Sequence, residues 1–205
     1  MTSGPSKRRG RPRAYDPDAA LRQARDTFWR AGYAATSLDD LAAGMGMNRP
    51  SIYAAFGDKR ALYLGAMTEY ADTSRAWLTG ALARPRSLRD GLRAVYRYAR
   101  DYYLAGDDGP RGCFLLGTAV TEAHRDPQVR VLVESTLCAF TETFTERFEK
   151  AARDGELAAT GPNALAHIAT AALNSLAVRA RTGAEPAALD ALIDATVDVI
   201  CGRTA

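Results

Sequence analysis

Apolar residues recur at three- and four-residue spacing along most of the chain and strand-like alternation is nearly absent, which predicts an all-α protein of about nine helices. Asp16-Pro17 opens the first helix, which carries Leu21, Ala24 and Phe28 on one face and stops near Gly32. Ser37 with Asp40 forms a capping-box start for a short second helix bearing Leu38, Leu41 and Ala42. Gly46 follows where a sharp turn between helices needs a positive φ. Asn48 caps the third helix, and Pro50 falls in its first turn, where a missing N–H costs little. Ile52 and Phe56 make its inward stripe and leave Arg49, Ser51, Tyr53 and Ala54 facing outward. Gly57 ends this helix in the left-handed region, and Asp58 caps a long connecting helix predicted over 58–79. Lys59 and Arg60 then lie at a helix N-terminus, where phosphate also binds well.

Beyond that point the pattern stays helical. Ser87 with Asp90 caps a helix striped by Leu88, Leu92, Val95, Ala99 and Tyr102 or Tyr103; residues 106–112 read as a loop. A shorter helix runs through Glu122 or His124. Asp126-Pro127 then begins a long one with Val129, Leu132, Val133, Phe140, Phe144 and Phe148 inward, ending near Gly155. Two helices close the chain. The first, 162–181, is rich in small residues; the second, 186–201, places Leu189, Leu192, Ile193, Thr196, Val197 and Ile200 on one side. This pair either closes the core of one chain or packs against its copy as a four-helix interface. Alanine-rich faces allow close helix approach, and the apolar coverage is wider than one neighbour would bury. The organisation expected is a disordered basic arm (1–15), a helix-turn-helix unit (16–62) and a larger helical unit (63–205).

In a helix-turn-helix one helix holds while the other enters the major groove, so residues 36–63 point to DNA recognition. Charge supports this. Lys7, Arg8, Arg9, Arg11 and Arg13 carry more positive charge than the whole chain's net +3, so the remainder is net acidic. The Arg-Gly-Arg-Pro run at 9–12 resembles an AT-hook core that enters narrow A·T-rich minor grooves; the bland alternative is a solubilising tail with nonspecific affinity. With 47% hydrophobic residues in 205, a sizeable core can form. No window approaches the ~20 apolar residues of a membrane span, and the basic start has no apolar stretch after it, so a cytoplasmic protein is expected.

Catalytic chemistry does not assemble. His124 and His167 are the only histidines and have no metal-ligand partner at helical spacing. Asp39-Asp40 and Asp107-Asp108 read as cap and loop acids, and residues 106–112 lack the phosphate-loop lysine pattern. No enzyme site, metal centre or cofactor is expected. Cys113, Cys138 and Cys201 show neither disulfide nor zinc spacing. Cys113 stands beside Arg111 near a predicted helix start, and both features favour thiolate; it is either a reactive sensor or a small packing residue.

The block from Asp16 to Tyr63 resembles the DNA-binding domain of the tetracycline-repressor (TetR) family. The match is carried by Phe28, Gly32, Tyr33, Thr36, Ser37, Leu41, Ala42, Gly46, Met47, Ser51, Ile52, Tyr53, Phe56, Lys59 and Leu62. Pro50 departs from the glycine of many members, and Ala54-Ala55 from larger polar residues. The resemblance implies a ligand-responsive homodimer on double-stranded operator DNA, paired through the helices at 162–181 and 186–201. The expected DNA-binding set is Asn48 at the helix cap, Arg49, Pro50 and Ser51 toward the bases, and Thr36, Ser37, Tyr53 and Lys59 toward phosphates, joined by Arg9, Arg11 and Arg13 of the basic arm. The resemblance also implies an effector cavity among the middle helices, formed by a subset of Trp77, Tyr96, Tyr102, Tyr103, Cys113, Phe114, Phe140 and Phe144 and taking a small, mainly apolar molecule. The alternatives are a redox or electrophile sensor working through Cys113, or an architectural DNA-binding protein without an effector.

Overall fold

The computed structural model describes residues 15–106, 109–157 and 161–202, and among these it contains helices and no strand. The helices are α1 (Pro17–Ala35), α2 (Leu38–Met45), α3 (Arg49–Phe56), α4 (Lys59–Ala83), α5 (Leu88–Leu104), α6 (Val120–Ala123), α7 (Pro127–Arg153), α8 (Pro162–Arg181) and α9 (Pro186–Cys201), with a π-helical turn at Leu115–Ala119.

Side-chain caps set most of the boundaries. Asp16, Ser37, Asn48, Asp58, Ser87 and Asp126 each accept a backbone N–H of the first turn they precede, which satisfies donors a helix start leaves open. Three predicted spans need correction. Gly32, at φ 79°, kinks α1 without ending it, and helical turns continue to Ala35. The connecting helix runs to Ala83 and not 79, because Leu82 reaches the core. The short helix expected before Glu122 is a π-helical turn followed by a single α turn, and neither has a side-chain cap.

Helices α1 to α3 pack on the first half of α4 through Phe28, Leu41, Ile52, Leu62 and Tyr63, all essentially inaccessible. Each such side chain contributes about 1.5–3 kcal/mol through burial. The aromatic cluster does not stop at this unit. Tyr63 meets Phe28 at 5.0 Å and Phe114 at 6.0 Å, and its hydroxyl is 2.8 Å from that of Thr118 in the π-helical turn. Burial pushes the Tyr63 phenol up to about 12, so it is uncharged in this bond.

Small residues on α8 let its neighbours close in. Ala166, Ala169, Ala177 and Ala180 are buried, and the Tyr96 hydroxyl donates to the Ala169 carbonyl at 3.0 Å. The loop before the π turn presses on the same helix. A Cβ on Gly112 would lie 2.8 Å from the Ala177 carbonyl, and its φ of 64° also favours glycine. Helices α5 and α9 run antiparallel, joined by Arg89–Asp198, Arg93–Asp194 and Arg100–Asp190 ion pairs in opposite chain order.

Candidate nucleic-acid interface and cavity

The turn between α2 and α3 is built as the residue pattern requires. Ser37 and Asp40 form a reciprocal capping box, and this hydrogen bonding holds the Asp40 carboxyl below its ordinary value. Gly46 adopts the left-handed conformation at φ 60°, and the Asn48 side chain accepts the Ser51 N–H at 2.9 Å. Ile52 anchors α3. Arg49, Pro50, Tyr53 and Ala54 are exposed, Asn48 is exposed at the cap, and Ser51 is half-buried. Tyr53 is 50% accessible, a large exposed apolar surface on the face that α3 presents outward.

Several polar groups on this face are already engaged. The Arg49 guanidinium makes a two-point ion pair with Asp39 of α2, with Nε at 2.6 Å from the carboxylate. Lys59 places its ammonium 4.5 Å from the Tyr33 ring centroid. Thr36 is a correction: it is buried, and its hydroxyl donates to the Gly32 carbonyl at 2.6 Å, so its side chain is not open to a phosphate. The Ser37 hydroxyl is held in the capping box. Arg60 is a second correction, because its fork grips Asp126 and Gln128 of α7 and is not free at the start of α4. That grip holds the Asp126 carboxyl down at about 2. Arg9, Arg11 and Arg13 lie outside the described residues.

A cavity of about 170 Å3 opens between α4, α5, α7 and α8. From the chain's aromatic residues, Trp77, Tyr98, Tyr102, Tyr103 and Phe140 line it. Tyr96, Phe114 and Phe144 are fully buried elsewhere in the core and do not line it. Arg25 and Tyr70 line it unanticipated. Arg25 belongs to α1, so one wall of the cavity comes from the helix-turn-helix unit.

Trp29, on the next turn of α1, is the other residue that periodicity missed. It is buried, its indole N–H donates to the Arg111 carbonyl at 2.8 Å, and its ring meets Tyr70 and Phe114 at 5.3 and 5.4 Å. The Arg111 guanidinium lies 4.7 Å from the Trp29 ring centroid and 4.4 Å from that of Tyr102. The chain of contacts from α1 to the cavity wall is therefore continuous.

Of the two readings of Cys113, its surroundings match a small packing residue. It is buried and off the cavity lining, its sulfur accepts the Tyr70 hydroxyl at 3.4 Å, and Arg111 is taken up between the two rings. Burial pushes its thiol up, outweighing that hydrogen bond and the N–H groups of Leu115 and Leu116. His124 and His167 are exposed, and among the described residues no group of His, Cys, Asp and Glu could hold a metal ion. No described helix is long and apolar enough to cross a membrane.

A capped helix-turn-helix with an exposed second helix, carried on an all-helical body, defines a DNA-binding transcription regulator. The family model described as bacterial regulatory proteins, tetR family, matches residues 20–66, and that of a tetracyclin repressor-like C-terminal domain matches 88–196. The chain belongs to the TetR family. It is 36% identical over 115 residues to the HTH-type transcriptional repressor ComR of Escherichia coli strain K12, a match covering 56% of this chain and about half, 55%, of ComR. It is 26% identical over 193 residues to the HTH-type transcriptional regulator YezE of Bacillus subtilis strain 168, covering 93% of this chain and 99% of YezE. Among solved structures, a cysteine mutant of the TetR family regulator CifR, complexed with a 26-bp double-strand operator DNA, superposes with a TM-score of 0.76 at 32% identity, over 91% of this chain and 98% of that one.

Proposed function

We propose that this regulator is a cytoplasmic repressor that binds a palindromic operator as a homodimer and leaves it when a small molecule fills the cavity. The observation that carries the reading is the shared wall: Arg25 lines the cavity and belongs to the first helix of the reading unit. A molecule seated there touches both halves of the chain at once. Residues 16–62 are the reading unit and 63–205 the effector and pairing unit.

Asn48, Arg49, Pro50 and Ser51 are assigned to base edges, and Tyr53 and Lys59 to phosphates, with Arg9, Arg11 and Arg13 following the adjacent minor groove. Exposed Ile168 and Val178 on α8 and Val199 on α9 supply the apolar surface for pairing. The name of ComR, a repressor, supports the direction of control. Selection of bound DNA from a random pool, followed by footprinting and light scattering, tests this. A palindromic consensus occupied by two chains supports the reading, and a single chain protecting an asymmetric site overturns it.

Arg49 must exchange Asp39 for a base edge. Asp39→Asn removes the competing carboxylate from the DNA-facing surface. It is expected to raise affinity for any DNA sequence by about two- to fivefold, the scale of one exposed pair. Unchanged binding in a salt titration would show that Arg49 keeps its partner on DNA.

A further inference from the structure

The cavity's size limits the part of an occupant that it can enclose, since it is open on one side. About 170 Å3 is available, close to the ~150 Å3 of an apolar cavity that accepts benzene and well below the ~300–1,000 Å3 of pockets for larger ligands. One six-membered ring with a short substituent fills such a space. The walls favour a flat molecule: Trp77 and Tyr98 stack at 4.3 Å with 20° between planes, and Tyr98 and Tyr102 are within 10° of parallel at 6.2 Å.

The one charged group in the lining, Arg25, can only donate, whereas the hydroxyls of Thr73, Ser74 and the tyrosines donate or accept. A guanidinium has five N–H groups. Arg25 uses three of them, two on Asp26 at 3.1 Å and one on Glu69 at 3.3 Å, which leaves two. Tyr103 has no hydrogen-bond partner for its hydroxyl among the described residues, and burial keeps that phenol protonated. The carboxylates in reach, Asp26 and Glu69, are occupied by Arg25. Local charge is also balanced, since Arg25 and Arg111 stand against Asp26 and Glu69. A cationic ligand would meet the Arg25 guanidinium. An anionic one would leave Asp26 and Glu69 uncompensated by competing for Arg25.

We propose that the cavity takes a flat, uncharged, single-ring aromatic molecule bearing one hydrogen-bond acceptor such as a carbonyl, with Arg25 as the residue that selects for the acceptor. The ring lies along Trp77, Tyr98 and Tyr102. The proposal rests on the reading of this cavity as the effector site, and its chemistry is separable from whether occupancy releases DNA.

The test uses the full chain and four matched probes, acetophenone, ethylbenzene, benzoate and benzylammonium, followed by calorimetry and tryptophan fluorescence. Acetophenone is expected to bind saturably and at least about tenfold more tightly than ethylbenzene, which lacks an acceptor, and than either ion. Arg25→Met is expected to erase the advantage over ethylbenzene, and Arg25→Lys, which keeps the charge but loses the fork, to reduce it several-fold. Ala99→Phe, which fills the cavity, should abolish binding of every probe. Equal binding of ethylbenzene and acetophenone, tightest binding of an ion, or no binding of any probe would each overturn the proposal. A mobility shift on the selected operator distinguishes the two readings. Acetophenone that binds without releasing DNA upholds the cavity chemistry and removes the ligand-release reading, whereas release by compounds of another class does the reverse.

Discussion

Ile168→Glu combined with Val178→Glu is expected to leave a folded monomer whose affinity for its operator falls by about 100-fold or more, the scale of lost bivalency. Both side chains lie on α8 and are substantially exposed in the single chain, 43% and 54% accessible, so their replacement opens no cavity and breaks no hydrogen bond within it. In a symmetric pair each charge meets its own copy or the apolar face of α9, and desolvating it opposes association. Light scattering should report one chain, and circular dichroism an unchanged helical content. A variant that remains dimeric and binds DNA normally would place the pairing surface elsewhere.

Trp29→Ala is expected to destabilise the protein by about 3–5 kcal/mol, the range for a large aromatic removed from a core. The ring packs against Tyr70, Phe114 and the Arg111 guanidinium, all of which lose contacts when it is removed. Trp29→Phe separates packing from the hydrogen bond. It keeps a ring and deletes the indole N–H, while the Arg111 carbonyl retains its bond from Arg181 at 3.2 Å, so a loss of only about 1 kcal/mol is expected. The same variant should weaken effector-driven DNA release, since the link from α1 to Tyr102 runs through this contact. Urea titration reads the stability, and a mobility shift on the selected operator with and without acetophenone reads the release. An alanine variant as stable as the parent would remove Trp29 from the core of this account.

Helix starts were legible because they are local: Asp16-Pro17, Ser37 with Asp40, Asn48 and Asp126-Pro127 each act on backbone within three residues. The π-helical turn was not, since it has no side-chain cap and sits where Thr118 meets Tyr63 from a helix 55 positions away. Periodicity separates inward from outward but not packed from unfilled. Phe144 and Phe140 share a stripe, yet one is core and the other lines a cavity. Trp29 and Arg25 escaped notice for a related reason. The stripe of Leu21, Ala24 and Phe28 accounts for one face of α1, and only the docked body makes the adjoining face an inside. Arg49 is clearly an outward residue by position, but its engagement by Asp39 depends on the angle between two helices. Cys113 shows the limit most plainly: a neighbouring arginine and a helix start leave an activated thiol and a packing residue both open, and only the burial that pushes the thiol up separates them.

The grip of Arg60 on Asp126 and the seat of Trp29 on Arg111 fix the head of the molecule to its body at two separate places. A head held this way resists turning independently of the body. In a symmetric pair the distance between the two reading helices would then be set by residues that never approach a base, those that orient α4, α7 and α8. Under the proposed pairing, two kinds of information would be encoded in different halves of the chain: α3 would determine which bases are read, and the body how many base pairs lie between the two readings. Substitutions in the body could therefore change the accepted spacer while leaving each half-site intact, which offers a route to a new operator without touching the recognition helix.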